Sequence, residues 1–189
     1  MNNLLNNPVV SKQLSDIDIA ITSEAQRIRE LANQLEFVHI ADFVLSDDVY
    51  NICNGDYNRS GVYFFEIKNS VLAAEVVEWI AEFENLWVNP EVIWYPGIKK
   101  GRVSAHKKFS EWIPMYIGKC KSVGVRINEH INQPKDRRTF SMKLKARTNL
   151  YGRSFRVSWI PLDIQNYDMI VPAIESALRD RYNPIIGRQ

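Results

Sequence analysis

Residues 113–130, Ile-Pro-Met-Tyr-Ile-Gly-Lys-Cys-Lys-Ser-Val-Gly-Val-Arg-Ile-Asn-Glu-His, concentrate the side chains able to act on a phosphate. Tyr116, Ile117 and Gly118 close a short apolar run that reads as a strand ending in a turn. Lys119 and Lys121 follow, and a helical stretch then sets Arg126 and His130 four residues apart, on one face. A tyrosine, a lysine, an arginine and a histidine converging at one strand end make a site for a phosphodiester. Its hydrolysis needs an activated nucleophile, help for the leaving oxygen and charge stabilisation on the phosphorus oxygens. An arginine and a metal ion commonly supply that charge. Arg126 can grip a phosphate through its planar fork. A free tyrosine has a pKa of about 10, so a cation such as Lys119 or Arg126 must lower it before the phenol can move protons.

Upstream stands a second run, Gly61-Val62-Tyr63-Phe64-Phe65-Glu66-Ile67, with a tyrosine of its own. Together the two runs resemble the signature strands of the GIY-YIG nuclease superfamily, with Val62 in place of the usual isoleucine. The ten-residue step from Tyr116 to Arg126 is the family's step, and the histidine one turn later occurs in several of its branches. The resemblance covers about residues 60–187. It implies a small α/β (α+β) sandwich: a three-stranded antiparallel sheet flanked by helices. It implies a catalytic set of Tyr63, Tyr116, Gly118, Lys119, Arg126 and His130, with the two tyrosines flanking the attacking water and the scissile phosphate. It also implies one divalent cation, Mg2+ or another such as Mn2+, held by Glu175 in the last helix. The chain departs from the family twice. The signature strands usually form a tight hairpin, whereas Tyr63 and Tyr116 lie 53 positions apart. The asparagine that commonly follows the metal glutamate by twelve residues is replaced by Gly187, with Asn183 nearby but out of place.

The elements needed to position these residues can be read from periodicity. Residues 16–35 place Ile17, Ile21, Ala25, Ile28, Leu31 and Leu35 at helical spacing, so residues 1–59 read as a helical N-terminal extension. Asn54-Gly55-Asp56 has turn chemistry. Residues 70–87 form a second helix with Val76, Ile80, Phe83 and Trp87 on one stripe. That helix belongs to an insert at 68–110 and is too apolar to stand free in water, so it should dock on the core or on a second subunit. Strands follow at 113–118 and 155–161, the latter from the alternation of Phe155, Val157, Trp159 and Pro161. A helix over 122–132 and a final one from Asp168 to Tyr182 complete residues 60–189 as one domain.

The formal net charge of +2 hides a segregation. Residues 1–98 carry 5 Lys/Arg against 15 Asp/Glu, and residues 99–156 carry 16 against 3. The basic middle calls for a polyanionic partner, and double-stranded DNA is the natural one. Lys99, Lys100, Arg102, Lys107, Lys108, Lys121, Arg137, Arg138, Lys143, Lys145, Arg147 and Arg153 are its expected contacts, and His106 belongs with them if it has a role. No run of 18 apolar residues and no secretory leader are visible, and Cys53 and Cys120 have no metal-ligand spacing. A reduced, cytoplasmic setting without a membrane partner is the expectation. The function expected is a metal-dependent DNA endonuclease, compact and restriction-type, possible as a homodimer because both strands of a duplex must be cut. A repair or structure-specific nuclease, or a catalytically weak binding module of the same fold, are the alternatives.

Overall fold

The computed structural model describes residues 7–53, 56–69 and 75–187. The expected turn at Asn54-Gly55 and the start of the helix expected from residue 70 lie outside them. In chain order the elements are α1 (Pro8–Ala32), β1 (Val38–Val44), β2 (Gly61–Lys68), α2 (Val76–Trp87), β3 (Gly97–Ile98), α3 (Lys100–Val103), β4 (Trp112–Cys120), α4 (Val123–Asn132), β5 (Ser154–Pro161), α5 (Tyr167–Tyr182) and β6 (Ile186–Gly187). Two 3-10 turns, Leu144–Ala146 and Thr148–Leu150, lead into β5.

The mixed α and β class is as expected, but the main sheet has four strands rather than three. Its order is β1-β5-β2-β4, all antiparallel, and β3 and β6 form a separate two-stranded ribbon. The additional edge strand β1 lies in the segment expected to be a helical extension. A register irregularity between His39 and Ala41 breaks its alternation, which hides the period-two signal. Cross-strand pairing of Asp42 with Arg156, at 2.9 and 3.0 Å, fixes β1 on β5 and holds the Asp42 carboxyl down at about 2.

β2 is central and buried on both faces. Tyr63, Phe65 and Ile67 face a core completed by α2 and α4, while Val62 and Phe64 face a second core against α5 and the C-terminal end of α1. The insert helix α2 docks on the first core, as its apolar stripe required. Its buried residues are Val76, Trp79, Phe83 and Trp87, with Ile80 only half-buried. Trp79, Phe83 and Trp87 stack in succession at 5.1 and 5.5 Å.

The two tyrosine-bearing strands pair directly despite the insert between them. β2 and β4 run side by side with Tyr63 opposite Gly118 and Phe65 opposite Tyr116. A bulge at Met115, where the register shifts, reverses the alternation of β4. Ile113 and Met115 face the first core before it and Tyr116 after it, so both tyrosines point to one side.

Candidate active site

Gly118 is fixed by the tyrosine across the strand pair. A Cβ at this position would lie 2.4 Å from Tyr63 Oη and 2.8 Å from Tyr116 Cε1, so only glycine lets the Tyr63 ring lie across β4. The two phenol rings then stack at 6.1 Å. α4, which follows β4 after a two-residue turn, brings His130 against both, with ring centroids 5.4 Å from Tyr63 and 4.9 Å from Tyr116.

His130 is fully buried and held at both nitrogens. The Met142 backbone N–H donates to Nδ1 at 3.0 Å, and Nε2 lies 2.8 Å from Tyr63 Oη. Burial, then the nearby charge of Arg126, pushes its pKa well below 6.5, so the ring is neutral. Since Nδ1 accepts, the single proton sits on Nε2 and is donated to the Tyr63 oxygen. His130 therefore positions Tyr63 and donates to it; it cannot take a proton from it in this state.

That neutral imidazole has a measurable consequence. In the unfolded chain His130 takes up a proton as pH falls through about 6.5, while the folded chain does not. Stability contributed by the neutral ring is thus present above that pH and lost below it. Stability should therefore fall between pH 7.5 and 5.5, by an amount on the order of 1 kcal/mol. A His130→Asn variant should lack this component in urea titrations at the two pH values, whereas Glu66 and Glu175 contribute equally to both chains. An unchanged pH dependence would show that the imidazole is not held neutral.

Both tyrosines depart from the sequence expectation of a lowered pKa. Burial pushes Tyr63 well above 10, the neighbouring Tyr116 adds to it, and Arg126 opposes without prevailing. Tyr116 is likewise raised by burial, against the charges of Arg179 and Arg126. The phenols are neutral hydrogen-bonding groups at neutral pH.

Arg126 is half-buried and aimed. It donates to Glu129 Oε2 at 2.5 Å and to the Phe140 carbonyl at 3.1 Å, and its charge acts on Tyr63, Tyr116 and His130. Glu129 was missed in the sequence; its only signal is the i,i+3 spacing to Arg126. Glu175 comes from α5 on the other face of the sheet and is 8% exposed. Burial raises its pKa, while Arg179 and Lys119 lower it. Arg179 pairs with Glu175 Oε1 at 2.7 Å and donates to the Ile117 carbonyl on β4. The groups from both faces thus meet around β4, the strand at the sheet's margin, and Tyr116 feels the charges of both Arg126 and Glu175. Tyr167 is a further residue missed from sequence. Its hydroxyl is buried without a partner, and Lys119 and Lys121 lie 5.9 and 5.4 Å from its ring.

A metal held by the protein alone does not fit this site: among the described residues no group of three or more His, Cys, Asp or Glu gathers. Glu175, the carboxylate expected to hold a metal, is almost wholly buried and paired with Arg179 at 2.7 Å.

The basic residues divide. Lys143 and Arg147, expected at the DNA, are buried structural cations instead. Lys143 donates to the carbonyls of Ile93, Trp94 and Thr139, and Arg147 to those of Met142 and Trp87. Arg147 also stacks 3.9 Å from the Trp87 ring and 4.6 Å from that of Tyr95, and burial lowers its pKa to about 10. Arg102 binds Asp180 and the Arg179 carbonyl, Arg153 pairs with Glu82, and Lys121 with Asp168. Lys99 is half-buried near Gly187, and His106 lies 2.8 Å from the Asn183 carbonyl, a protein contact rather than a phosphate one. Asn183 ends α5 in the left-handed conformation, a helix-terminating position. Lys100, Lys107, Lys108, Arg137 and Arg138 are exposed. Arg137 and Lys145 line a groove of about 780 Å3 along the outer face of α4, together with Tyr50, Asn128, Asn132 and Gln133. No helix among the described residues is long and apolar enough to cross a membrane. No family model, no curated protein and no solved structure matches this chain.

Proposed function

We propose that this chain is a divalent-metal-dependent DNA endonuclease of the GIY-YIG type. The observation that carries the reading is the direct pairing of β2 with β4, which sets Tyr63 over Gly118 beside Tyr116. Around that pair stand His130, Arg126 and Glu175, the residue types and order that the resemblance calls for. Arg126, held by Glu129 and Phe140, supplies fixed positive charge to the phosphate in the transition state. Tyr63, steadied by the His130 Nε2–H, orients the attacking water by hydrogen bonding. Glu175 would hold the metal, whose charge would assist at the phosphate oxygens. The groove beside α4 supports sequence-specific, restriction-type cleavage, because Asn, Gln and Arg are the side chains that read base edges.

A second reading, a binding module of the same fold with weak chemistry, is favoured by the Glu175–Arg179 ion pair and by the raised pKa values of the tyrosines. Supercoiled-plasmid nicking with and without magnesium separates the two. Wild-type protein should nick only with the metal, and Glu175→Gln should abolish nicking while leaving duplex binding intact. Full nicking by the variant would place the metal elsewhere; metal-independent binding without nicking by the wild type would favour the second reading.

A further inference from the structure

The N-terminal half of α1 stands apart from the body. Every residue from Ser11 to Glu24 is exposed, all the way round the helix; Val10 before them is part-buried, and after them Ala25 and Ile28 are part-buried and Ala32 is buried against the body. Fourteen residues make a helix of about 21 Å, marginal alone in water. Yet this stretch is rich in β-branched and apolar residues: Leu14, Ile17 and Ile21 are 52, 55 and 58% exposed. Val10, Leu14, Ile17 and Ile21 follow one another at steps of four, three and four, the spacing of a coiled-coil seam, which another helix covers. The next seam position is Glu24, which ends the apolar run.

We propose that this chain forms a symmetric dimer through antiparallel pairing of the N-terminal halves of two α1 helices. With the twofold axis between residues 15 and 16, Val10 lies opposite Ile21 of the second copy, and Leu14 opposite Ile17. All four seam residues of each helix are covered by the same four of the other, as an isologous interface requires. Pro8 then lies opposite residue 23, so the second helix ends just short of Ala25, where α1 meets its own body. A parallel, in-register pair would place Glu24 against Glu24 at a seam layer and crowd both bodies at one end. Charge and length together select the antiparallel arrangement. This inference does not depend on the nuclease reading.

Sedimentation equilibrium of the full chain tests it. Wild type should be a dimer that dissociates on dilution, and Leu14→Asp with Ile17→Asp should be monomeric with an unchanged urea midpoint for the body. Cysteine cross-linking in a Cys120→Ser background checks geometry without relying on that variant's helix. A mixture of Val10→Cys and Ile21→Cys chains should cross-link under mild oxidation, and Val10→Cys alone should not. A monomer at every concentration, a dimer unmoved by the double substitution, or Val10→Cys cross-linking chiefly to itself would overturn the proposal.

Discussion

Arg147→Ala should lower stability by about 4 kcal/mol, because the enclosed guanidinium donates to two carbonyls through Nε and Nη1 and stacks between two rings, with only Nη2 left unpartnered. Its loss strips donors from the Met142 and Trp87 carbonyls and removes the cation from between the Trp87 and Tyr95 rings. It also leaves a void that the stacked aromatic side chains of α2 cannot fill without shifting. For a chain of this length the expected fall in melting temperature is about 8–16 °C. The discriminating readout is the salt dependence of DNA binding, measured at a temperature where the variant is folded. A phosphate contact would lower the slope by about one; a structural cation leaves it unchanged. A stable variant with a reduced slope would return Arg147 to the DNA surface.

Arg126→Ala should slow magnesium-dependent cleavage by two to three orders of magnitude, about 2.7–4 kcal/mol of transition-state stabilisation. Arg126 lies half-buried within reach of Tyr63 and Tyr116, and Glu129 and Phe140 hold its orientation before any substrate arrives. The effect should fall on kcat, with duplex affinity little changed. Arg137→Ala makes the contrast, since Arg137 is exposed in the groove beside α4. It should weaken binding and lower the salt slope by about one. If both variants lost only affinity, the division into a chemical arginine and a binding arginine would be wrong.

The parts of the site legible in the sequence were those fixed by local pattern. Tyr63 and Tyr116 stood in apolar runs, and Arg126 with His130 lay one helical turn apart; all three elements formed where periodicity placed them. Pairing of β2 with β4 was not legible, because register across a long insert is set by tertiary packing, here including the bulge at Met115. That the tyrosine pKa values rise, so that the condition for proton transfer is not met, was illegible for a related reason. Neighbouring cations can be guessed from sequence, but the burial that outweighs them cannot. Lys143 and Arg147 looked like surface charge because lysine and arginine usually are. Only closure of the insert over them, with Trp87, Trp94 and Tyr95 supplying rings and carbonyls, made them interior. The helix of residues 16–35 was visible, but it begins earlier, at Pro8, and its bare N-terminal half could not be foreseen from its stripe.

Every neighbour relation in the main sheet joins segments distant in the chain. Tyr63 meets Gly118 and Trp159, and Val44 meets Ser154, so the sheet contains no hairpin. Such topology delays folding, since the entropy of closing long loops must be met before any strand pair rewards it. During synthesis, β2 emerges with both faces apolar and neither partner yet made. The nascent chain must keep that strand from self-association until residues near 160 have left the ribosome. Whatever chemistry the site performs therefore appears only after β5 and α5 have been made.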